Sequence, residues 1–217
     1  MAMNHRIEPE LHPVAIKDLR PTQMTVGLRE VTAKRAAWRK HAGSDGSEFL
    51  GRNMIPAVVG PKHRLWLIDH HHLARALHDE GVEHVLVTIV AKLQNLEKER
   101  FLSFLDCRNW LHPYDETGKR RAWQDMPKHV GDLADDPYRS LAGAVRENGG
   151  FAKTGTPYSE FLWADFFRGQ IGAKQIGKKF DLAVEEATAL ARSPAAAYLP
   201  GFSGKDVGQG QDDKSDD

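Results

Sequence analysis

Apolar positions change period several times along the first ninety-odd residues. Leu11, Val14, Ile16 and Leu19 fall at loose strand spacing and stop at Arg20-Pro21, so a first strand is expected there, followed by a polar loop over residues 22–27. From Glu30 to His41 the apolar positions Val31, Ala33, Ala36, Ala37 and Trp38 predict a helix, and the run from Gly43 to Ser47 is a breaker. Two β-rich stretches, 55–59 and 65–68, flank Gly60-Pro61-Lys62-His63 and predict a hairpin. From His70 the pattern is helical, with Leu73, Ala74, Ala76 and Leu77 on one face, and runs to about Glu80 before Gly81. Val85, Val87 and Ile89 alternate with Leu86, Thr88 and Val90, which predicts a strand over 84–91 buried on both faces.

Beyond residue 95 the signal is helical. Leu96, Phe101, Leu102, Phe104 and Leu105 mark a helix over 96–110, and 111–124 reads as loop. Asp136-Pro137 opens a helix to about Asn148, with Asp as cap and Pro in the first turn. Thr156-Pro157 suggests the same device before 161–168, and a further helix covers 181–193. The expected class is α+β: an α/β-like domain over 1–95, a mainly helical region over 96–202 packed on it, and a disordered acidic tail over 203–217.

Composition narrows the function classes. Lys+Arg and Asp+Glu are both 30, so there is no global charge to drive non-specific nucleic-acid or membrane binding, which disfavours a nucleic-acid partner. The single cysteine, Cys107, excludes an intramolecular disulfide and a Cys-rich zinc site; its apolar neighbours Phe101, Leu102, Phe104 and Leu105 suggest a buried thiol. The start lacks the apolar core of a signal peptide, and no run of about 18 apolar residues occurs, so a cytoplasmic protein without a membrane partner is expected. No oligomeric state follows from the sequence.

The chemistry concentrates where strand period gives way to helix period, at Asp69-His70-His71-His72. A strand feeding a helix start gathers unpaired N–H groups and the positive dipole end, which suits an anion. Asp69 is placed to orient a histidine or hold a metal-bound phosphate, and a plain N-cap competes with that reading. Successive helical side chains diverge by about 100°, so two of the three histidines, not all, converge with Asp69. With no His-x-x-x-His pair, a metal at Asp69 and His71 is the weaker alternative to a phosphate.

These residues resemble the ParB/sulfiredoxin superfamily, and within it the Putative ParB-like nuclease group. The matching pieces are Pro21-Thr22-Gln23 with Val26-Gly27, Val58 to Pro61, Ile68 to Leu77, Asp136 to Ala142 and Glu160 to Asp165. The resemblance implies a small sheet with helices whose ligand phosphates sit at a strand-to-helix turn. The superfamily includes partition-protein CTPases, the ATP-dependent sulfinic acid reductase sulfiredoxin and free serine kinases. The kinases' Asp-Gly-His-His-Arg turn corresponds to Asp69-His70-His71-His72-Leu73, so a glycine has become His70 and a phosphate-gripping arginine has become Leu73. Their catalytic glutamate falls at Gln23, which cannot take a proton as a general base.

The resulting assignment gives Asp69, His71, His72 and Gln23 catalytic roles, and gives Thr22, His70, Arg75 and Arg139 ligand contacts, with Arg75 a stand-in for the missing arginine. The expected activity is phosphoryl or phosphodiester hydrolysis or transfer on a small phosphorylated ligand or nucleotide, with a divalent metal ion as optional cofactor. The alternatives are a partition-like DNA-binding module and a non-catalytic nucleotide or metal sensor. Residues 171–180 resemble the start of a helix-turn-helix, but Glu185 and Glu186 on the following helix would repel phosphates, which favours simple packing helices.

Overall fold

The structure, a computed structural model, describes residues 12–204; the expected tail over 203–217 lies almost wholly outside the described residues. The described residues divide into two compact units, with the division between Ser140 and Leu141. The class is mixed α+β, with strands in the first unit and mostly helix in the second.

In the first unit the strands are β1 (His12–Ala15), β2 (Arg20–Pro21), β3 (Thr25–Val26), β4 (Ile55–Val59), β5 (Leu65–Leu67), β6 (His84–Lys92) and β7 (Ala134–Asp135). Five of them make a mixed sheet in the order β1-β6-β4-β5-β2, while β3 and β7 form a separate parallel pair. The predicted hairpin is β4 and β5, antiparallel with Ala57 opposite Leu67 and Val59 opposite Leu65. Helix α1 (Leu28–His41) is followed by α2 (Gly46–Arg52), so the expected breaker is only partly one: Gly46 already belongs to a helix. Next come α3 (His71–Asp79) and α4 (Lys98–Cys107).

One apolar cluster joins α1, α3 and one face of the sheet, through Val31, Leu73, Leu77, Leu67, Val85 and Val87. A second, on Val58, Trp66, Phe101, Leu102 and Leu105, covers part of the other side. Two expectations fail here. Strand β6 buries Val85 and Val87 but leaves Val90 exposed, so it is not covered on both faces. Cys107, the last residue of α4, is exposed because the buried stripe of that helix is Phe101, Leu102 and Leu105, which leaves position 107 on the outer side.

Helix α5 (Pro137–Glu147) begins as predicted, with Asp136 Oδ1 accepting the Tyr138 N–H at 3.0 Å. The second unit contains α6 (Ser159–Arg168), α7 (Ala173–Lys178) and α8 (Phe180–Ala191), with Trp163, Phe167, Ile176 and Ala183 buried. Thr156-Pro157 does not cap α6; Tyr158, in the left-handed region at φ 58°, precedes its first turn.

The β3–β7 pair ties the 22–27 loop to the start of α5. Asp135 Oδ1 accepts the Leu28 N–H at 2.9 Å and Ser140 Oγ accepts the Arg29 N–H at 3.3 Å, so the first turn of α1 is satisfied from there. Gly27 lies so close that a Cβ would fall 2.7 Å from Ser140 N and 2.8 Å from its Oγ. Gly27→Ala is therefore expected to cost about 1–3 kcal/mol, as overpacking does. Denaturant midpoints with an unchanged m-value check this.

Candidate functional site

The sheet ends at the turn because Leu67 completes β5 and the Ile68 N–H is taken by Pro56 O at 3.0 Å. The chain then reverses into α3 through His70, at φ 62° and ψ 28°. That is the conformation a glycine adopts freely, and it costs a non-glycine residue about 1–2 kcal/mol. His70, not Asp69, is the residue flanking the helix start, and no side chain caps it. Asp69 is exposed, and its Oδ1 accepts the His70 N–H at 2.6 Å.

The next two histidines point inward. His71 is 2 % exposed, and its Nε2 accepts the Thr22 N–H at 3.1 Å. Thr22 Oγ1 donates to Leu67 O at 2.8 Å and lies 3.3 Å from the same imidazole nitrogen. His72 Nε2 accepts the Gly27 N–H at 3.0 Å, with Glu30 Oε2 at 3.5 Å. Consecutive histidines thus hold both ends of the 22–27 loop. An imidazole accepting through Nε2 carries its proton on Nδ1. In His71 that Nδ1 is buried with no hydrogen-bond partner among the described residues.

The loop positions its own polar groups nearby. Gln23 bridges His112, whose N–H donates to Thr22 O at 2.8 Å. The Gln23 Oε1 and the Thr25 Oγ1 are likewise buried without a hydrogen-bond partner. Arg139, 4 % exposed on the first turn of α5, is close enough to act electrostatically on both His71 and His112. Burial first, and then the Arg139 charge, pushes His71 down to about 3; His70 and His112 add to it. His112 is also lowered to about 3, by burial, then Arg139 and Arg120.

Both histidines are therefore neutral in the folded protein at pH 7. Their folded pKa values lie below the ordinary 6.5, so the unfolded chain takes protons first as pH falls. The stability they contribute is complete above about pH 6.5 and is lost on the way to about pH 3. Between those limits the unfolding free energy is expected to drop by up to about 1.4 kcal/mol per pH unit for each histidine. Urea midpoints that stay flat from pH 7 to pH 4.5 would contradict neutral, buried imidazoles.

The sequence-derived residues separate into two groups. Thr22, Gln23, His71 and Arg139 come together. Arg75 does not turn toward them: its Nε bonds Asp79 at 2.9 Å and its Nη1 bonds Leu133 O at 2.5 Å. Asp69 and His70 stay on the exposed rim. Among the described residues no group of three His, Cys, Asp or Glu side chains is arranged to hold a metal. His112 was missed; it sits in what reads as a plain loop, and only the bridge to Gln23 brings it in.

The fold and the turn define a class, a mixed α+β protein whose sheet delivers a histidine-bearing turn to a helix start over a buried arginine. The family model for Putative ParB-like nuclease matches residues 12–169, and the chain belongs to that family. It is similar to protein Atu1540 from Agrobacterium tumefaciens, known from a crystal structure: 49% identity, a TM-score of 0.83, and coverage of 90% of this chain and 99% of that one. No curated protein matches the chain. Among the described residues no helix is long and apolar enough to cross a membrane.

Proposed function

We propose that the protein binds a phosphate-bearing ligand, a nucleotide or nucleic-acid fragment, against His71, His112 and Arg139, and cleaves or transfers its phosphoryl or phosphodiester group. The observation carrying this reading is the buried, unpartnered Nδ1–H of His71 within the field of the Arg139 guanidinium. A buried donor without an acceptor costs about 1–3 kcal/mol, and a phosphate oxygen satisfies it while meeting the cation.

Thr22 suits a histidine that changes protonation state. Its N–H serves the neutral ring, and its Oγ1, 3.3 Å from Nε2, can accept a proton-bearing Nε2. An incoming phosphate offsets the Arg139 charge and raises the His71 pKa, so the ring becomes cationic only when ligand is bound. His71 then donates Nδ1–H to the leaving oxygen as the P–O bond breaks. A water held by the Gln23 Oε1 forms the new P–O bond and releases its proton to solvent. In this scheme His72 holds the loop through Gly27, and Asp69 and His70 meet the ligand, or a cation on it, at the rim.

The test is product analysis after incubation with nucleoside triphosphates and with single-stranded oligonucleotides, wild type against His71→Gln. Glutamine keeps an acceptor for the Thr22 N–H but cannot carry the proton. Turnover lost with unchanged folding supports the scheme. Turnover retained rules His71 out as the acid, and binding without product favours a sensor.

A further inference from the structure

A second place in the first unit brings two arginines together. Arg20 occupies the edge strand β2 opposite Trp66 in parallel register, and Arg64 lies two residues before Trp66 in extended conformation. Register partners and alternate residues share a face of the sheet, so both arginine side chains leave on the face of Trp66. Arg35, Arg39, Arg52, Arg75, Arg120 and Arg121 each reach a carboxylate. Among the described residues, the side chains of Arg20 and Arg64 form no ion pair or hydrogen bond. Burial, and then the Arg64 charge, lowers the Arg20 pKa, so a half-buried guanidinium gives up water beside a like charge with no anion to offset it. Lys62, exposed at the hairpin tip, adds positive charge two residues from Arg64.

The pair is close to the His71 site along the chain. Arg20 precedes Thr22 by two residues, a span of at most about 7 Å, and Thr22 is the residue bonded to His71. We propose that Arg20 and Arg64 form a second anion subsite for another phosphate of the ligand held at His71. The ligand then carries at least two phosphates, as a nucleic-acid strand or a nucleoside polyphosphate does. This rests on the phosphate reading of the His71 site.

The test compares full-length wild type, R20Q/R64Q and His71→Gln for binding of a nucleoside monophosphate, a nucleoside triphosphate and a short single-stranded oligonucleotide. R20Q/R64Q is expected to lose about tenfold or more in affinity for a multi-phosphate probe, the worth of charge-assisted contacts, and nothing for the monophosphate. Its melting temperature should not fall, since two repelling charges are removed. Loss on the oligonucleotide, with the salt slope reduced by about 1.4, identifies a strand; loss on the triphosphate identifies a polyphosphate. Unchanged affinity for every probe overturns the subsite, as does an equal loss on the monophosphate with a lowered melting temperature. A wild type that binds no probe also overturns it. If R20Q/R64Q loses binding while His71→Gln keeps it, the arginine subsite stands and the His71 reading fails.

Discussion

Arg139→Met is expected to lower affinity for a nucleoside monophosphate or an oligonucleotide by about a hundredfold, close to 2.7 kcal/mol. Arg139 is 4 % exposed, so its field acts through a medium that screens poorly. Methionine keeps much of the stem volume and removes the charge. The same change should raise the pKa of both His71 and His112, because Arg139 lowers each of them. Arg139→Lys should fall between, keeping the cation and losing the bidentate fork. Calorimetric titration with the two probes reads the affinity, and ring-nitrogen NMR reads the histidines. Unchanged affinity with a lower melting temperature would reduce Arg139 to a structural role.

The second large effect concerns His71→Ala combined with His72→Ala. Each imidazole accepts a backbone N–H, from Thr22 or Gly27, at 3.0–3.1 Å. Alanine leaves both donors stranded at about 1–3 kcal/mol each. At roughly 2–4 °C per kcal/mol for a chain of this size, the double variant should melt about 10 °C lower. The loop over 22–27 should also gain amide exchange. A double variant that melts with wild type would mean the loop is held by β3 and β7 alone. For this reason His71→Gln, and not alanine, is the variant that separates chemistry from folding.

What the sequence made legible was the turn and its immediate frame. The hairpin 55–67, the helix from His71 and the Asp136 cap of α5 all rest on local signals, and each is present. The membership read from Pro21-Thr22-Gln23 and from Ile68 to Leu77 is shown by the family match. What was not legible depends on distant pairing. Nothing near His112 marks it, since its place follows from a bridge to Gln23, 89 residues earlier in the chain. Nor does anything near His71 and His72 show that Nε2 of each would be spent on the backbone of another segment. Arg75 looked like a substitute for a lost arginine because helical spacing puts it near His72; Asp79, four residues on, claims it instead. Cys107 and Val90 failed because apolar neighbours in sequence do not report which side of an element meets a partner.

The histidine titration carries the central claim, that Arg139 and the two neutral imidazoles form an anion site. In the free protein, ring-nitrogen NMR should show His71 as the Nδ1–H tautomer, unprotonated well below pH 5. Adding a nucleoside monophosphate or an oligonucleotide should move its titration upward, as the bound phosphate offsets the Arg139 charge. A His71 curve that neither probe displaces would contradict the account.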